Sequence, residues 1–509
     1  MSQGILPFQY EVEPVASGMT ALAGLPSYLD LSQVCGLTDS IRQHLTICSG
    51  KKQGWTDEQI VMSLILLNLA GGESVDDLRI LEGDEGFAQV MRRVETHGLL
   101  CSERRALERR FCSERRRAVP SPSPVFRYLS AFHNQKEEEK RQPNKAFIPA
   151  SNEHLESLQQ VNTDMIAFAQ QKNPKKTATL DMDATLVETQ KRQSLFCYKG
   201  YKSYQPLNTY WFEQNTVIHS EFRDGNVPAG YEQLRAFKEG LERLPEGVEE
   251  VYLRSDTAGY QHEWRQNCAE GKNERFGVIQ FAIGVDVTPA FKLAVAEVKE
   301  HQWHPLYQEI GPGYRILTNQ EWAEVCFVPN GLATKKNGPD YRFIAIREPL
   351  EQKELFDTDI QQLPFPTMEF NEQGHYKVFG TVTNRTLPGE ELISWQRQRC
   401  GKSEQAHSVM KEDLAGGCLP SGDFGENAAW WTIMIIAFNL NSLMKLLVLP
   451  KNWADKRLKA IRFGFIHIAG RVIERSRQLI VRLSSSHPST ELLFDVRQRI
   501  MELALVPSG

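Results

Sequence analysis

Thr177 to Glu188 reads TATLDMDATLVE, and the fold turns on how this stretch is read. Its Thr, Leu and Val content and short length predict a strand. Asp181 and Asp183 stand two apart, so that strand projects both carboxylates from one face, among neighbours that are mostly apolar or small. A buried carboxylate is costly unless it is paired, hydrogen-bonded or bound to a metal. Downstream, YKSYQPLNTYWFE and NTVIHSEFRDG predict further strands. A helix over Tyr231 to Leu244, a strand in EEVYLRSDTAG, another helix and a strand in GVIQFAIGVDVT follow. Three consecutive strands and then helix, strand, helix, strand make a mixed sheet rather than a purely parallel one. In VYLRSDTAGY an apolar run ends at Asp256, directly before a Thr-Ala-Gly turn. That places a second carboxylate at the C-terminal edge of the sheet, where α/β proteins form their ligand sites.

Upstream, residues 17–98 read as helices, with apolar runs such as Ile60 to Ala70 that show no period-two alternation. From Cys101 to Ala118 the chain carries seven Arg against three Glu, and a Pro/Ser stretch follows. The polar run Asn134 to Lys145 predicts an exposed hinge, and His154 to Gln171 a helix. Residues 301–394 return to β signals and read as an insertion, after which helices resume near Pro388 and run to about Leu505 with a break at Pro450. The most apolar stretch, Ala428 to Pro450, reads as a buried helix and not a membrane span, because Asn439, Asn441 and Lys445 interrupt it. The N-terminus lacks a basic region followed by an apolar one, so no secretion leader is expected. Nine scattered cysteines with no C-x-x-C pair predict reduced cytoplasmic thiols.

The chain has 509 residues, with 59 Lys and Arg against 64 Asp and Glu, a net charge of −5. That balance excludes a uniformly basic DNA-coating protein. It conceals local asymmetry, since residues 395–482 hold 14 basic against 7 acidic side chains while residues 340–394 hold 5 against 10.

Two strand-end carboxylates suit a hard cation with oxygen ligands, of which Mg²⁺ is the common case. Each has a structural alternative as a turn cap. In ISWQRQRCGKSEQAHSVMKEDL, a single helix would set Glu404, Ser408 and Lys411 on one face, though such a face can also be merely solvated. The Arg run and Lys175, Lys176, Lys191 and Arg192 around the first acid strand are candidate phosphate contacts. Trp303 and Trp322 have the ring faces to stack on a base, with core packing as the competing fate. His301 and His304 have a helical spacing without further ligands, and His262 lies six residues beyond Asp256.

Together, LDMDAT, LRSDTAGY and the segment holding Glu404 and Lys411, followed by FGENAAWWTIMIIAFNL, resemble the DDE transposases of bacterial insertion sequences, the group with a β-rich insertion before the last acid. The resemblance spans residues 20–480 or so and implies an α/β fold with a ribonuclease-H-like mixed-sheet catalytic core. The implied organisation is a helical N-terminal DNA-binding module (1–133), a linker and helix (134–172), the first part of the core (173–300), the β-rich insertion (301–394), the last part of the core with the third acid (395–450) and a C-terminal helical region (451–509). Asp183 matches the first acid through Asp183-Ala-Thr185, with Asp181 as fallback; Asp256 matches the second, Glu404 the third, and Lys411 the basic residue seven positions on. The family's Tyr and Arg stand seven and four residues before its Glu, where this chain has Arg397 and Cys400. Arg399 is one residue from the Arg position and Trp395 two from the Tyr position, so the Arg role falls to Arg397 or Arg399.

The resemblance further implies two Mg²⁺ ions, with Mn²⁺ as a substitute, bridged by Asp183 and completed by Asp256 and Glu404. The implied partners are double-stranded DNA, as the element's inverted-repeat ends and the target, and a second copy of the chain in the DNA complex; no membrane is involved. Arg115, Arg116 and Arg117 are the expected end-binding side chains, and the expected location is the bacterial cytoplasm at the nucleoid. The alternatives are a domesticated or inactive DNA-binding relative, and a metal-dependent nuclease without strand transfer.

Overall fold

The computed structural model describes residues 2–3, 9–10, 17–49, 51, 53–111, 117–311, 313–329, 341–350, 363, 365–370 and 374–505. One large mixed sheet organises them. Its first five strands are β1 (Thr177–Ala184), β2 (Leu207–Trp211), β3 (Thr216–Glu221), β4 (Glu250–Ser255) and β5 (Gln280–Gly284), in the order β3-β2-β1-β4-β5. β1, β4 and β5 are parallel, while β2 and β3 are antiparallel to their neighbours, which is the mixed pattern predicted from the order of elements. Pro206 separates β2 from the preceding YKSY run. It has no N–H to donate to a ladder, and its carbonyl accepts from Thr185 N at 3.0 Å where the chain changes sheets.

The β signals of residues 301–394 do not form a separate layer. They become β6 (His304–Gly311), β7 (Tyr314–Val325), β8 (Arg342–Pro349), β9 (Thr367–Glu369) and β10 (His375–Thr383). β10 adds antiparallel to β5, and β8, β7 and β6 continue outward, so the insertion extends the same sheet.

The helices that frame the site are α1 (Asp57–Ala70), α2 (Glu153–Lys172), α3 (Gln233–Glu242), α4 (His262–Ala269), α5 (Gly389–Ser408) and α6 (Phe424–Leu443). Strand alternation divides β1 between two environments. Ala178, Leu180 and Met182 join a core with Phe237 and Leu241 of α3 and Trp264 of α4. Asp181 and Asp183 face the other way, towards α5.

Every residue of α6 is buried. The segment Phe424–Val448 is, among the described residues, the one helix long and apolar enough to cross a membrane, yet 83% of its apolar window is buried within the fold. Its polar residues are spent on tertiary ties. The Asn439 carboxamide accepts from Val217 N at 2.8 Å and donates to Val217 O at 2.8 Å and to Asn162 Oδ1 at 2.7 Å. Asn441 Oδ1 accepts from the Tyr28 hydroxyl at 2.8 Å. Ile433, Ile436, Leu440 and Leu443 are wholly buried, each worth about 1.5–3 kcal/mol relative to exposure. They belong to one core that also takes in N-terminal residues from Leu22 and C-terminal residues as far as Ile500.

The C-terminal region is helical with one departure from the predicted run of helices. Gly470–Arg475 and Gln478–Leu483 form a hairpin that pairs with Met19–Thr20. Its turn residues Ser476 and Arg477 take φ of 52° and 64°. Two-residue hairpins need such positive φ, which Asn-Gly usually signals; Ser-Arg carries no such signal.

Candidate active site

β1 and β4 are hydrogen-bonded neighbours with Ser255 opposite Met182, so Asp183 and Asp256 emerge side by side where the two parallel strands end. Asp256 opens a single helical turn, and its Oδ1 accepts from Ala258 N at 3.0 Å. The turn is tight. A Cβ on Gly259 would stand 2.4 Å from Ser255 Oγ, which is why the Asp-Thr-Ala-Gly run ends in glycine. Asp256 thus caps a turn, and the Asp183 charge reaches it.

Asp181 lies one step deeper and is fully buried. Arg254, its partner across the β1–β4 ladder, donates to it twice, from Nε at 2.6 Å and from Nη2 at 2.9 Å. Arg254 Nη1 donates to Trp395 O at 2.7 Å, and the guanidinium lies between the Phe212 and Trp395 rings, 4.4 and 5.2 Å from their centroids. Asp181 is thus paired inside the protein, although burial still pushes its pKa up against the pull of Arg254 and Arg399. The sequence motifs do not single out Arg254, although an Arg in the middle of an apolar strand, two residues before Asp256, is a signal for a buried acid opposite.

Asp183 keeps a route to solvent, with its side chain 18% exposed. Arg399 Nη1 donates to its Oδ2 at 3.0 Å. Burial pushes the Asp183 carboxyl above its usual range, Arg399 opposes this, and the Glu404 charge adds to it. Asp256 is likewise pushed up by burial and then by the Asp183 charge. Burial works against the Arg399 cation, but Asp183 and Asp256 together hold its pKa above the ordinary value. Two acids and one guanidinium thus form a single electrostatic unit.

Glu404 is exposed on α5, within range of Asp183's charge. Among the described residues no three His, Cys, Asp or Glu side chains converge closely enough to hold an ion as they stand. The structure brings Asp183 and Asp256 together and seats Arg399 against Asp183, while Glu404 stays apart on α5, reaching Asp183 only through its charge. After Ser408 the helix widens into a π-turn, Val409–Asp413, and Lys411 Nζ donates to Leu186 O at 3.3 Å, just past the end of β1. Burial lowers the Lys411 pKa. His407, which no sequence motif marks, is buried between the cations Lys411 and Arg399, and burial first and then those charges push its pKa down to about 3.

The two Arg candidates diverge. Arg399 faces the acids, whereas Arg397 Nη2 donates to Gln320 Oε1 of β7 at 2.6 Å. Of the Arg run, Arg115 and Arg116 lie outside the described residues, and Arg117 Nε donates to Val119 O at 3.2 Å. Lys176 pairs with Glu249 at 3.1 Å on the surface. Trp303 and Trp322 pack inward: the Arg347 guanidinium sits 4.3 Å from the Trp303 ring, and His304 stacks on Trp322 at 4.9 Å. His301 falls in a short helical turn and His304 in β6, so their helical spacing is not realised. His262 is exposed at the start of α4.

The donor set suits a hard divalent cation. All three acids offer oxygen alone, as Mg²⁺ prefers, and the burial that raises Asp183 and Asp256, to which Glu404 adds at Asp183 and Asp183 at Asp256, is a penalty on negative charge that a cation relieves. Among solved structures, the chain is similar to a piggyBac transposase determined as a synaptic complex with hairpin DNA, at 11% identity, with a TM-score of 0.42, over 95% of this chain and 80% of that one. None of the curated proteins matches it. The family described as Transposase DDE domain, group 1, matches residues 12–505. The chain, with its strand-end aspartates and Glu404 on the returning helix, belongs to that family of DDE transposases.

Proposed function

We propose that this transposase cuts DNA at the ends of its own element and joins the freed 3′-hydroxyl to target DNA, with Asp183, Asp256 and Glu404 as the reacting-centre carboxylates. The observation that supports this reading is the placement of Asp183 and Asp256 at adjacent strand ends, with the Glu404 charge reaching Asp183 from α5. In the first step water adds across the P–O3′ bond, leaving a 3′-hydroxyl and a 5′-phosphate. In the second, that hydroxyl attacks a target phosphorus, a new P–O bond forms and the target's own 3′-oxygen leaves, so no external energy source is needed.

Divalent Mg²⁺ or Mn²⁺ held by the three carboxylates would activate the attacking oxygen and stabilise the leaving one. Asp183, Asp256 and Glu404 would hold those ions between them once Glu404 closes on the two aspartates. Arg399 offers a guanidinium for a backbone phosphate once a cation answers Asp183. Lys411 adds a second positive charge at the same edge. Two copies of the chain, one for each element end, would complete the complex.

A relative that binds DNA without cutting it is favoured by one feature, that Arg399 rather than Glu404 sits against Asp183. The test incubates the full chain with labelled DNA spanning the flanks of its gene. Cleavage in Mg²⁺ that stops with chelator is expected; binding without cleavage in either metal selects the non-cutting relative.

A further inference from the structure

With Trp303 and Trp322 packed inward, other aromatic side chains face solvent on the segment that follows the first acid strand. A small three-stranded sheet, Val187–Glu188, Leu195–Phe196 and Lys202–Tyr204, begins directly after β1. It is rooted at the active site, because Leu186, the residue before it, accepts from Lys411 Nζ. Its outer hairpin is closed by hydrogen bonds. Cys197 N donates to Tyr201 O and Gly200 N to Cys197 O, each at 2.9 Å, and Gly200 takes φ +83° to complete the turn.

This tip displays Phe196, 61% exposed, and Tyr198, 77% exposed. Both belong to residue types that folding normally covers. Lys199 lies 5.8 Å from the Tyr198 ring centroid, and Arg192 is exposed beside it, its carbonyl accepting from Lys202 Nζ at 3.1 Å. Lys191 Nζ donates to Pro420 O at 3.1 Å, which ties the base of the flap to the segment leading into α6. Lys199 is near enough to Lys411 for the two charges to repel, and Lys411 in turn lies within range of Asp183. Exposed rings interleaved with cations, on a hydrogen-bonded hairpin whose base is tied to Lys411 beyond the first acid strand, match the chemistry of unpaired bases with their phosphates.

We propose that Phe196 and Tyr198 form a platform on which unpaired DNA bases stack beside the acids, with Lys199 and Arg192 against the adjoining phosphates. The inference takes its location from the DNA-cutting reading. Opening a strand end frees bases from their stack, and an aromatic face that returns the lost stacking lowers the cost of holding them open.

The test measures binding of the full chain to a duplex with a short single-stranded 3′ tail, and to the same duplex with an abasic tail. The native protein should prefer the tail with bases by about ten-fold or more, the usual worth of aromatic stacking. Phe196→Ala with Tyr198→Ala should abolish that preference while leaving the abasic affinity and thermal unfolding unchanged, and Phe196→Trp with Tyr198→Trp should restore it. Equal binding of both tails by the native chain, or a preference that survives the double alanine variant, overturns the platform. Base preference without any metal-dependent cleavage by the native chain refutes the nuclease reading instead. Failure to bind either duplex refutes both.

Discussion

Replacing Arg254 by Met takes from Asp181 its hydrogen-bonded ion partner where both side chains are completely shielded from solvent, leaving only the more distant Arg399 charge to oppose its burial. Two hydrogen bonds of 2.6 and 2.9 Å, and a third of 2.7 Å to Trp395 O, disappear together. At an effective dielectric near 20, unit charges about 4 Å apart attract by about 4 kcal/mol. Removing one partner of a buried pair costs about 3–5 kcal/mol, because the remaining charge stays desolvated. That is a large part of the roughly 5–15 kcal/mol by which domains are stable. Asp181→Leu combined with Arg254→Met should recover most of the loss, since a well-packed apolar pair can replace a buried ion pair at little cost. Denaturant unfolding of native chain, both single variants and the double variant closes the cycle. An Arg254→Met variant as stable as the native chain, or a double variant no better than Arg254→Met, would refute the reasoning. A further variant checks the acid assignment: Asp181→Asn should weaken the fold while the protein that remains folded keeps its metal-dependent cleavage.

Two further outcomes concern charged side chains. Asp256 has a folded pKa raised by burial and by Asp183, so between its unfolded and folded values the native state binds more protons, and its ionised form costs stability above the folded pKa. In metal-free buffer Asp256→Asn, which keeps the acceptor for Ala258 N, should therefore unfold later than the native chain near neutral pH, with the gain shrinking as pH falls through the folded value; urea midpoints across that range would show the opposite trend if the sign is wrong. Neutralising Arg115, Arg116 and Arg117 should weaken end binding and flatten its salt dependence, the slope falling by about 0.9 for each phosphate no longer neutralised. An unchanged slope would place end binding elsewhere.

Much of the site is legible in local sequence because its main cues are local. LDMDAT and LRSDTAGY each combine a strand pattern with a carboxylate at its end, and period-two alternation alone predicts that Asp181 and Asp183 share a face. What separates those two aspartates is tertiary: Arg254 lies 73 residues away in sequence and reaches only Asp181. The choice between Arg397 and Arg399 is also tertiary, because both lie on one exposed-looking helix and only the packing of α5 across the sheet turns Arg399 to Asp183. For Trp303 and Trp322 the sequence leaves base stacking and core packing both open, and the pairing of β10 with β5, which draws the insertion onto the main sheet, packs both rings inward. The hairpin at residues 470–483 escapes a sequence reading because its turn lacks glycine.

The central claim is that Asp183, Asp256 and Glu404 together carry the chemistry, and Glu404 is the member the resting arrangement holds apart. Cleavage of labelled element-end DNA by Glu404→Gln, measured in Mg²⁺ beside Asp183→Asn and Asp256→Asn, tests it most directly. All three should lose cleavage while retaining DNA binding, because the carboxylates are removed and the basic side chains stay. Native-level cleavage by Glu404→Gln would contradict the account.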